Sequence, residues 1–542
     1  MSKTNISFYD KNYSIDDSVI SSASDALKSH LSTVMNGTGA MIKLDGTSYN
    51  IDSAKLADAT NDFVSHLGTV AGSGSKVSIN GIQYNVDSTK LSGAITELHE
   101  VFGGLHSDGE SVEEELVGDA YAAVYDGTQL VFGRTEGEIP ATYTYMKDGV
   151  ETVGKLTTSW TGIETASYSD SNSTPWYRYY NSKIIAVDVI NKIRPISTAY
   201  WFYGLIYVTT MNLTNLDTSR VTDMTSMFNW AGYSATTFEL IGLDTWDVSN
   251  VTSMYQMFKE AGREYATMFN ISDLSSWDVS NVSNMSSMFE YAGYKATTWS
   301  IGNLRNWDVS NVTDMSSMFW LAGSKSTTWN IGDLNNWDVS SVTNMSSMFR
   351  SAGQNATTWN IGDLSNWDVS SVTNMDSVFR SAGSKSTTWN IGDLSNWDVS
   401  NVTNMSYMFR SAGGKSTTWN IGNLRNWDVS NVTDMSSMFE YAGNDITTFE
   451  LDLSNWDVSS VINMYCMFYY AGQNATTWNI GDLSNWDVSS VTNMDSMFYY
   501  AGYKATYTLD LTAWSDKVSN VTNHQYFNTK VTTKVIAPTW AN

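Results

Sequence analysis

A 13-residue motif, WDVSNVTxMxxMF, recurs along the chain and constrains its fold more than any other feature. Copies begin at Trp246, Trp277, Trp307, Trp337, Trp367, Trp397, Trp427, Trp456 and Trp486. Successive copies start 29 to 31 residues apart, and degenerate copies flank them at 216–219 and 514–519. A fixed period of this length is typical of a solenoid, in which stacked units bury their apolar sides against their neighbours. We predict about eleven coils of about 30 residues over residues 216–528.

Composition excludes several kinds of partner. The net charge of −26 would repel the phosphates of nucleic acids and of anionic membranes. No apolar run approaches the length of a membrane span, so we expect no membrane insertion. The single cysteine, Cys466, cannot form an intramolecular disulfide, so burial and stacking must stabilise the fold. The N-terminal residues lack the apolar core of a secretion signal, so we expect release by cell lysis.

A second type of repeat occupies residues 1–106. Segments 6–16, 42–52 and 77–87 align, and their alternating apolar residues predict β-hairpins, with turns at Asp45-Gly46 and Asn80-Gly81. Asp52-Ser53 and Asp87-Ser88 then supply N-caps for helices that carry one apolar stripe each. The result is three small ββα repeats. Each stripe could pack on its own hairpin or contact another subunit or a larger assembly, and the two interpretations are compatible.

Two further regions connect the repeats. Residues 107–118 are acidic and predict a solvated linker. Residues 119–215 are β-rich, with two alternating strands around Asp126-Gly127. Because an open solenoid end exposes apolar residues and strand edges, we expect this region to cap the first coil. Residues 529–542 form a C-terminal tail or cap.

The residue pattern of one coil, residues 299–323, predicts the strands and turns of the repeating unit. Trp299 and Ile301 should face inward together on a short strand. An apolar series then continues through Leu304, Trp307, Val309, Val312, Met315 and Met318. Its spacings of two or three favour tight turns and a second short strand near 312–315, and residues 318–323 predict one helical turn closed by a glycine cap. Gly332, which has no counterpart in the shorter segment 449–453, predicts a β-bulge.

Two rows of side chains have competing interpretations. Asp308 and its equivalents would stack about 5 Å apart. We expect each to accept backbone N–H groups in an Asx-turn rather than to bind Ca²⁺, because the neighbouring Val and Ser offer too few oxygen ligands. The row that contains Trp299 resembles a sugar-stacking platform, but its alternation with Ile301 favours a place in the core.

Comparison between coils separates packing positions from variable ones. Trp, Val, Met, Phe, Ala and Gly recur, whereas the pair after Met-Phe and the three residues after Ala-Gly vary. Solenoids usually place their recognition surface on such a face. The pairs are Asn229-Trp230, Lys259-Glu260, Glu290-Tyr291, Trp320-Leu321, Arg350-Ser351, Arg380-Ser381, Arg410-Ser411, Glu440-Tyr441, Tyr469-Tyr470 and Tyr499-Tyr500.

These variable positions supply the candidate ligand-binding residues. The cations are Arg350, Arg380, Arg410, Lys325, Lys385 and Lys415. A basic stripe on so acidic a protein suggests an anionic partner, such as a sialylated, sulfated or phosphate-bearing glycan. The alternative is a solvated face whose cations offset neighbouring acids such as Asp376. The aromatic candidates, of types that stack on sugars or anchor protein interfaces, are Tyr291, Trp320, Tyr441, Tyr469, Tyr470, Tyr499 and Tyr500.

Residues 451–464, LDLSNWDVSSVINM, resemble the repeat of BspA-type leucine-rich-repeat surface proteins, approximately LxLDLSNWDTSNVTxMxxMF. Segments 120–130, 174–176 and 194–202 resemble the N-terminal flanking domain of that family, so the resemblance covers about residues 119–528. It implies a leucine-rich-repeat-like parallel solenoid, mostly β with short helices, and adhesion to host or matrix molecules. The units depart from the family pattern by an insert such as Ala-Gly-Tyr-Lys-Ala-Thr-Thr. The N-terminal ββα repeats resemble modules of tailed-phage virion proteins.

Three functions follow from these features. The first is a non-enzymatic adhesion or receptor-binding protein, a phage virion appendage that binds host-surface or mucosal glycans or proteins. Its residues 1–106 would contact other virion proteins or form a homo-oligomer. The second is a structural virion decoration protein or, at another location, a bacterial cell-surface adhesin. The third, a glycan-degrading enzyme, is disfavoured because the five histidines form no metal or triad spacing and no carboxylate pair stands out. We expect no cofactor.

Overall fold

Three antiparallel hairpins lie near the N-terminus. Each joins two segments of alternating apolar and polar residues through a two-residue connection. In the computed structural model these are β1 (Lys3–Phe8) with β2 (Lys11–Asp16), β3 (Met41–Leu44) with β4 (Thr47–Asn50), and β5 (Lys76–Ile79) with β6 (Ile82–Asn85). The predicted hairpins are confirmed. The helices predicted to follow them lie outside the described residues, as does the predicted linker up to residue 115.

The structure describes these six strands and residues 116–540, except residues 148 and 418. The chain separates into two compact units, Met1–Glu115 and Leu116–Asn542. The second unit contains the β-rich region and all the coils. Within the described ranges, no helix is long and apolar enough to cross a bilayer.

The β-rich region continues the hydrogen bonding of the solenoid. Its strands and the first strands of the coils are β7 (Asp119–Tyr125), β8 (Gln129–Thr135), β9 (Thr142–Lys147), β10 (Val150–Thr161), β11 (Ala186–Val189), β12 (Thr210–Asn212), β13 (Thr237–Ile241) and β14 (Met268–Asn270). They form one sheet in the order β14-β13-β12-β11-β8-β7-β10-β9. β7 and β8 are the antiparallel hairpin predicted around Asp126-Gly127, and β8, β11, β12, β13 and β14 are parallel. The edge of the first coil is therefore covered by paired strands.

Short helical segments punctuate the second unit. One α-helical turn, α1 (Tyr177–Tyr180), lies in the β-rich region. The 3-10 turns are Ser171–Ser173, Leu243–Thr245, Leu304–Asn306 and Thr512–Lys517. At the C-terminal end, the ring of Trp540 packs against His524 and Phe527, with centroids 4.3 and 5.1 Å away.

A line of parallel bridges runs along the solenoid and counts its coils. Each bridge joins the residue that precedes Met315, or its equivalent, to the matching residue of the next coil. The bridged residues are Asp223, Ser253, Asn284, Asp314, Asn344, Asn374, Asn404, Asp434, Asn463, Asn493 and Asn523. The predicted eleven coils are confirmed, and at about 4.8 Å per coil they span about 50 Å.

A second line of short strands carries the Trp299 row. The strands are β15 (Thr298–Ser300), β16 (Thr328–Asn330), β17 (Thr358–Asn360), β18 (Thr388–Asn390), β19 (Thr448–Glu450), β20 (Thr477–Asn479), β21 (Leu509–Asp510) and β22 (Val535–Ile536). They pair in parallel as β15-β16, β17-β18, β19-β20 and β21-β22. Trp299 and Ile301 are both 0% exposed, so the prediction that this row belongs to the core is confirmed.

Stacked aromatic rings form the core of the coils. The Trp307 row stacks from Trp246 to Trp514, with neighbouring rings such as Trp307 and Trp337 nearly parallel at 6.4 Å. Each indole from Trp277 onward also donates its N–H to a leucine carbonyl of the previous coil, as Trp307 does to Leu274 at 2.9 Å. The Phe319 row stacks in parallel, with 5.6 Å between Phe319 and Phe349. Each coil thus buries its apolar side against the coils beside it.

The helical turn predicted at 318–323 is wrong. Ser317, Leu321 and Gly323 have left-handed backbones, with φ of 57°, 58° and 51°. Alternate N–H groups therefore close tight turns within the coil, such as Met318 to Met315 at 3.2 Å, or point to the next coil, such as Phe319 to Met348 at 2.8 Å. A helical turn would keep all of these hydrogen bonds within one coil. Here hydrogen bonds between stacked coils take their place, so the helical turn does not form.

The β-bulge predicted at Gly332 is also wrong. β16 ends at Asn330, and Gly332 lies beyond it with φ of 80°. The side-chain oxygen of Asn330 accepts the Gly332 N–H at 3.0 Å. The extra residue is therefore absorbed in an Asx-turn outside the paired strand.

Candidate ligand-binding face

The backbone aligns the variable residues of successive coils. In each pair after Met-Phe, the second residue donates its N–H to the carbonyl of the first residue of the next pair, as Leu321 does to Arg350 (2.8 Å) and Ser351 to Arg380 (2.7 Å). The second residue has a left-handed backbone, with φ of 58° at Leu321 and 55° at Ser351. The first residues therefore form one row along the solenoid. This row, the second residues of the pairs and the residues after Ala-Gly are called the variable face.

Carboxylates on the variable face are more buried than the coil comparison predicts. Glu260, Glu290 and Glu440 are only 8, 5 and 6% exposed. The ion pairs that hold them are Lys259–Glu290 (3.0 Å), Arg263–Glu260 (2.7 Å) and Arg410–Glu440 (2.9 Å). A charge can be buried when it is paired. Part of the variable face therefore contributes to packing between coils.

The three arginines lie in consecutive coils, as predicted, but in different environments. Arg410 is paired with Glu440, so the alternative interpretation, that the cations offset neighbouring acids, describes it well. Arg350 and Arg380 have no ion pair with any residue that the structure describes. The guanidinium of Arg350 lies over the ring of Trp320 at 4.7 Å, and that of Arg380 over Tyr407 at 4.8 Å. Burial, followed by repulsion from Arg350 and Arg410, lowers the pKa of Arg380.

The three lysines also differ from one another. Lys415 forms an ion pair with Asp445 at 2.8 Å. The ammonium of Lys325 lies 5.4 Å from the ring of Tyr294 in the previous coil. Lys385 is exposed and donates its backbone N–H to Gln354 at 3.0 Å. Lys385 and Lys415 thus lie in adjacent coils, the same coils as Arg380 and Arg410, whereas one coil lies between the coils of Lys325 and Lys385.

The tyrosines of the last coils form stacked columns. Tyr469 stacks on Tyr499 at 5.0 Å, and Tyr470 lies between Tyr441 (5.0 Å) and Tyr500 (4.7 Å) with nearly parallel rings. Because the ring faces within each column cover one another, the sugar-stacking role predicted for these residues is restricted to the column ends. Burial is the largest cause that raises the pKa of Tyr469 and Tyr470 to about 12, so their phenols stay neutral hydrogen-bond donors.

Tyr291 and Trp320 lie toward the other end of the row. Their rings are 5.4 Å apart, and the guanidinium of Arg263 lies 4.0 Å from the Tyr291 ring. Arg263 comes directly after Ala-Gly in its coil, in a variable slot that was not among the candidate sites. The aromatic candidates here serve as supports for guanidinium groups.

Sequence comparison missed Tyr407 and Tyr503. Tyr407 stands where most coils have Ser, between Met405 and Met408, and its ring lies 4.8 and 5.6 Å from the guanidiniums of Arg380 and Arg410. Tyr503 follows Ala-Gly and extends the tyrosine columns, 5.0 Å from Tyr500. The same coil-to-coil comparison, applied to the Met-x-x-Met segment as well, would have found Tyr407.

The aspartate row is used for turns. Asp308 accepts the Ser310 hydroxyl at 2.6 Å and its N–H at 3.1 Å, and these bonds lower the pKa of Asp308. Equivalent N–H bonds are present for Asp247, Asp278, Asp338, Asp368, Asp398, Asp428, Asp457 and Asp487. The predicted Asx-turns are confirmed. Within residues 116–540, apart from 148 and 418, no cluster of three or more His, Cys, Asp or Glu could hold a metal ion.

Open depressions occur away from the variable face. One is lined by residues that include Lys192, Asp217 and Asp247, and another by residues that include Asp482 and Asp510. Asp217 accepts the Arg194 Nε–H at 2.6 Å, so it is held in an ion pair. Neither depression includes a candidate residue from the sequence.

A family model described as "Mycoplasma protein of unknown function, DUF285" matches residues 197–328, 266–362, 322–421 and 414–537. The overlapping matches cover more than half of the chain and coincide with the coils. No curated protein and no solved structure matches.

Proposed function

The chain belongs to the DUF285 repeat family, and we propose that it is a non-enzymatic adhesion protein that holds its partner on the variable face. The observation that carries the proposal is the contrast between coils. Core residues such as Trp307 and Phe319 repeat with near-zero exposure, whereas the row beside them changes from buried acids to half-buried arginines and tyrosines. A spacer needs no such variation along a row, but a recognition surface does.

The chemistry of the variable face also favours binding over catalysis. Its middle and its C-terminal end offer guanidinium groups and neutral phenols, which are hydrogen-bond donors. The acids on the face are paired with cations, so they are poorly suited to act as general acids or bases. The proposed partner is a host-surface or mucosal molecule, and the resemblance to BspA-type surface repeats supports this role.

Binding of the labelled full chain to intact host cells or to mucin tests the proposal. We expect saturable binding that falls when Tyr469, Tyr470, Tyr499 and Tyr500 are all changed to Phe, because the hydroxyls are lost while the stacked columns remain. A control changes Tyr179 and Tyr207 to Phe, since both are exposed, at 61 and 45%, in the β-rich region. Saturable binding that neither the tyrosine variant nor substitution of the arginines weakens would exclude the variable face.

We also propose where the protein is located. We place it on a virion surface, with a bacterial cell surface as the alternative, and assign attachment to residues 1–106. The separation of unit Met1–Glu115 from unit Leu116–Asn542 supports this division of labour, because a separate unit can bind the particle while the solenoid binds its target.

Deletion of residues 1–106 is expected to leave the solenoid folded and to abolish incorporation into the parent particle. The reason is that the hydrophobic core of the second unit consists of its own residues, from Ala120 to Val535. Thermal unfolding of the truncated protein and its recovery in purified particles provide the two measurements. Normal incorporation of the truncated chain would contradict the assignment.

A further inference from the structure

The cations on the variable face divide into paired and unpaired groups. Paired cations are Lys259, Arg263, Lys295, Arg410 and Lys415, with carboxylate oxygens 2.7 to 3.3 Å away. Arg350 and Arg380 are the exceptions among the arginines of the row, because neither is ion-paired within the described part of the chain. The chain has 56 acidic residues against 30 basic ones, so the missing ion pair is a local feature and does not reflect a shortage of acids. The negative charge of Asp376 acts on Arg380, but the two form no ion pair.

Adjacent unpaired guanidiniums oppose folding. The Ser351 N–H binds the Arg380 carbonyl at 2.7 Å, which fixes the two arginines in neighbouring coils about 4.8 Å apart along the axis. That spacing is between the backbones; the positive charge of Arg350 acts on Arg380 across it, and partial burial weakens the screening by water. Elsewhere in the same row, a cation faces a glutamate of the next coil and forms an ion pair, as in Lys259–Glu290 and Arg410–Glu440. A bound anion would relieve the repulsion between Arg350 and Arg380.

The surroundings orient both guanidiniums. Trp320 lies against Arg350 at 4.7 Å and Tyr407 against Arg380 at 4.8 Å. A ring beneath a guanidinium stabilises its charge through its face and leaves the N–H edges free to donate. Beside them the second residues of the pairs are Ser351, Ser381 and Ser411, between the larger Leu321 and Tyr441. The side chains at this position are therefore small along three coils.

From this arrangement we infer that Arg350 and Arg380 form a subsite for the carboxylate or sulfate group of a linear acidic glycan. The inference rests on the proposed adhesive function and specifies its ligand. Each guanidinium can bind an oxyanion through charge-assisted, bidentate hydrogen bonds, so the pair suits a polymer with an acidic group in each repeat. Arginine is also frequent at protein interfaces, but the centres of those interfaces are mostly apolar, whereas serines flank this pair of arginines, which suits a hydrated polysaccharide.

The experiment measures binding of the full chain to immobilised heparin, hyaluronan, polysialic acid and neutral dextran. Heparin carries sulfate groups, the next two carry carboxylates alone, and dextran carries no charge. We expect binding to at least one acidic polymer, none to dextran, and weaker binding as salt rises, because exposed charges are screened beyond about 8 Å near physiological ionic strength. The combined change of Arg350→Ser and Arg380→Ser should reduce affinity at least tenfold.

A matched control removes the same two charges elsewhere. Arg220 and Arg305 are exposed and lie outside the variable face, so Arg220→Ser with Arg305→Ser should keep affinity within twofold. Melting temperatures that do not fall in either variant would show that folding is intact. Tyr407→Ala should weaken binding by releasing Arg380, whereas Tyr407→Phe, which keeps the ring, should not.

Several outcomes would overturn the subsite. These are unchanged affinity of the Arg350/Arg380 variant, equal loss in the control, no binding to any acidic glycan, or tighter binding to polyaspartate than to the glycans. The adhesive function is judged separately, on intact cells. If the Arg350/Arg380 variant binds the acidic glycans and the cells as tightly as the unaltered protein does, the subsite fails and adhesion stands, whereas absence of cell binding by the unaltered protein rejects adhesion itself.

Discussion

Replacing Trp367 with alanine is expected to lower the free energy of unfolding by about 3–5 kcal/mol, the usual range for loss of a fully buried tryptophan. Trp367 is 3% exposed and stacks between Trp337 and Trp397 at 6.3 and 6.4 Å. Its indole N–H also binds the Leu334 carbonyl of the previous coil at 3.0 Å. The substitution therefore removes two ring stacks and an inter-coil hydrogen bond at once, and denaturant unfolding measures the loss.

A comparison of two tryptophans separates the hydrogen bond from the packing. Trp359 is 0% exposed and stacks on both sides at 5.8 Å, but its indole N–H has no hydrogen-bond partner among the described residues. Trp359→Phe loses ring volume alone, whereas Trp367→Phe also loses a hydrogen bond with a typical net value of about 0.5–1.5 kcal/mol. Trp367→Phe should therefore be the more destabilising change, and equal effects would contradict the role of the bond.

Natural variation between the coils agrees with this difference. The Trp359 row contains phenylalanine at Phe238, Phe269 and Phe449. In the row of Trp367 the ring is tryptophan in every coil from Trp246 to Trp514. Nine of those indoles donate an inter-coil hydrogen bond, and a benzene ring would lose it.

The features that the sequence predicts are those that repeat from coil to coil. The number of coils, the burial of Trp299 and Trp307, and the Asx-turn at Asp308 all follow from residue spacing, because each depends on contacts that every coil shares. The left-handed backbone at Ser317 and Leu321 was not predicted, since these residue types do not favour it. Inter-coil hydrogen bonds select that conformation, and they exist only after the coils have stacked.

The candidate site is less predictable for a related reason. Whether an arginine is paired depends on the residue at the same slot of the neighbouring coil, as in Arg410–Glu440. That pair is 30 residues apart and is visible when the row is compared along the solenoid axis. The orientation of the rings, in contrast, cannot be found by comparing the row. The face-to-face stacking of Tyr469 on Tyr499 depends on side-chain rotamers, whereas the residue types alone suggest exposed stacking platforms.

Adjacent glycines in one coil are expected to respond in opposite ways to alanine. Gly413 has φ of 52°, and a Cβ there would lie 2.8 Å from Cγ of Trp389. Forced overpacking of this kind costs about 1–3 kcal/mol, so Gly413→Ala should lower the melting temperature. At Gly414 the nearest atom to a new Cβ is the Ser384 carbonyl oxygen at 3.4 Å, an ordinary contact. Gly414→Ala should be neutral or stabilising by up to about 1 kcal/mol, because it restricts the unfolded chain.

Steric contact, more than the left-handed backbone, is expected to set the cost of Gly413→Ala. Ser317, Leu321 and Tyr407 have φ of 57–58° without being glycine, so the conformation alone is tolerated in this fold. What distinguishes the Gly413 slot is the aromatic ring beneath it: equivalent glycines at 353 and 383 would place a Cβ 2.6 and 2.5 Å from an atom of Trp329 and Trp359. Trp389→Ala should therefore relieve part of the cost of Gly413→Ala. A double-mutant cycle with purely additive losses would show that the backbone conformation sets the cost instead.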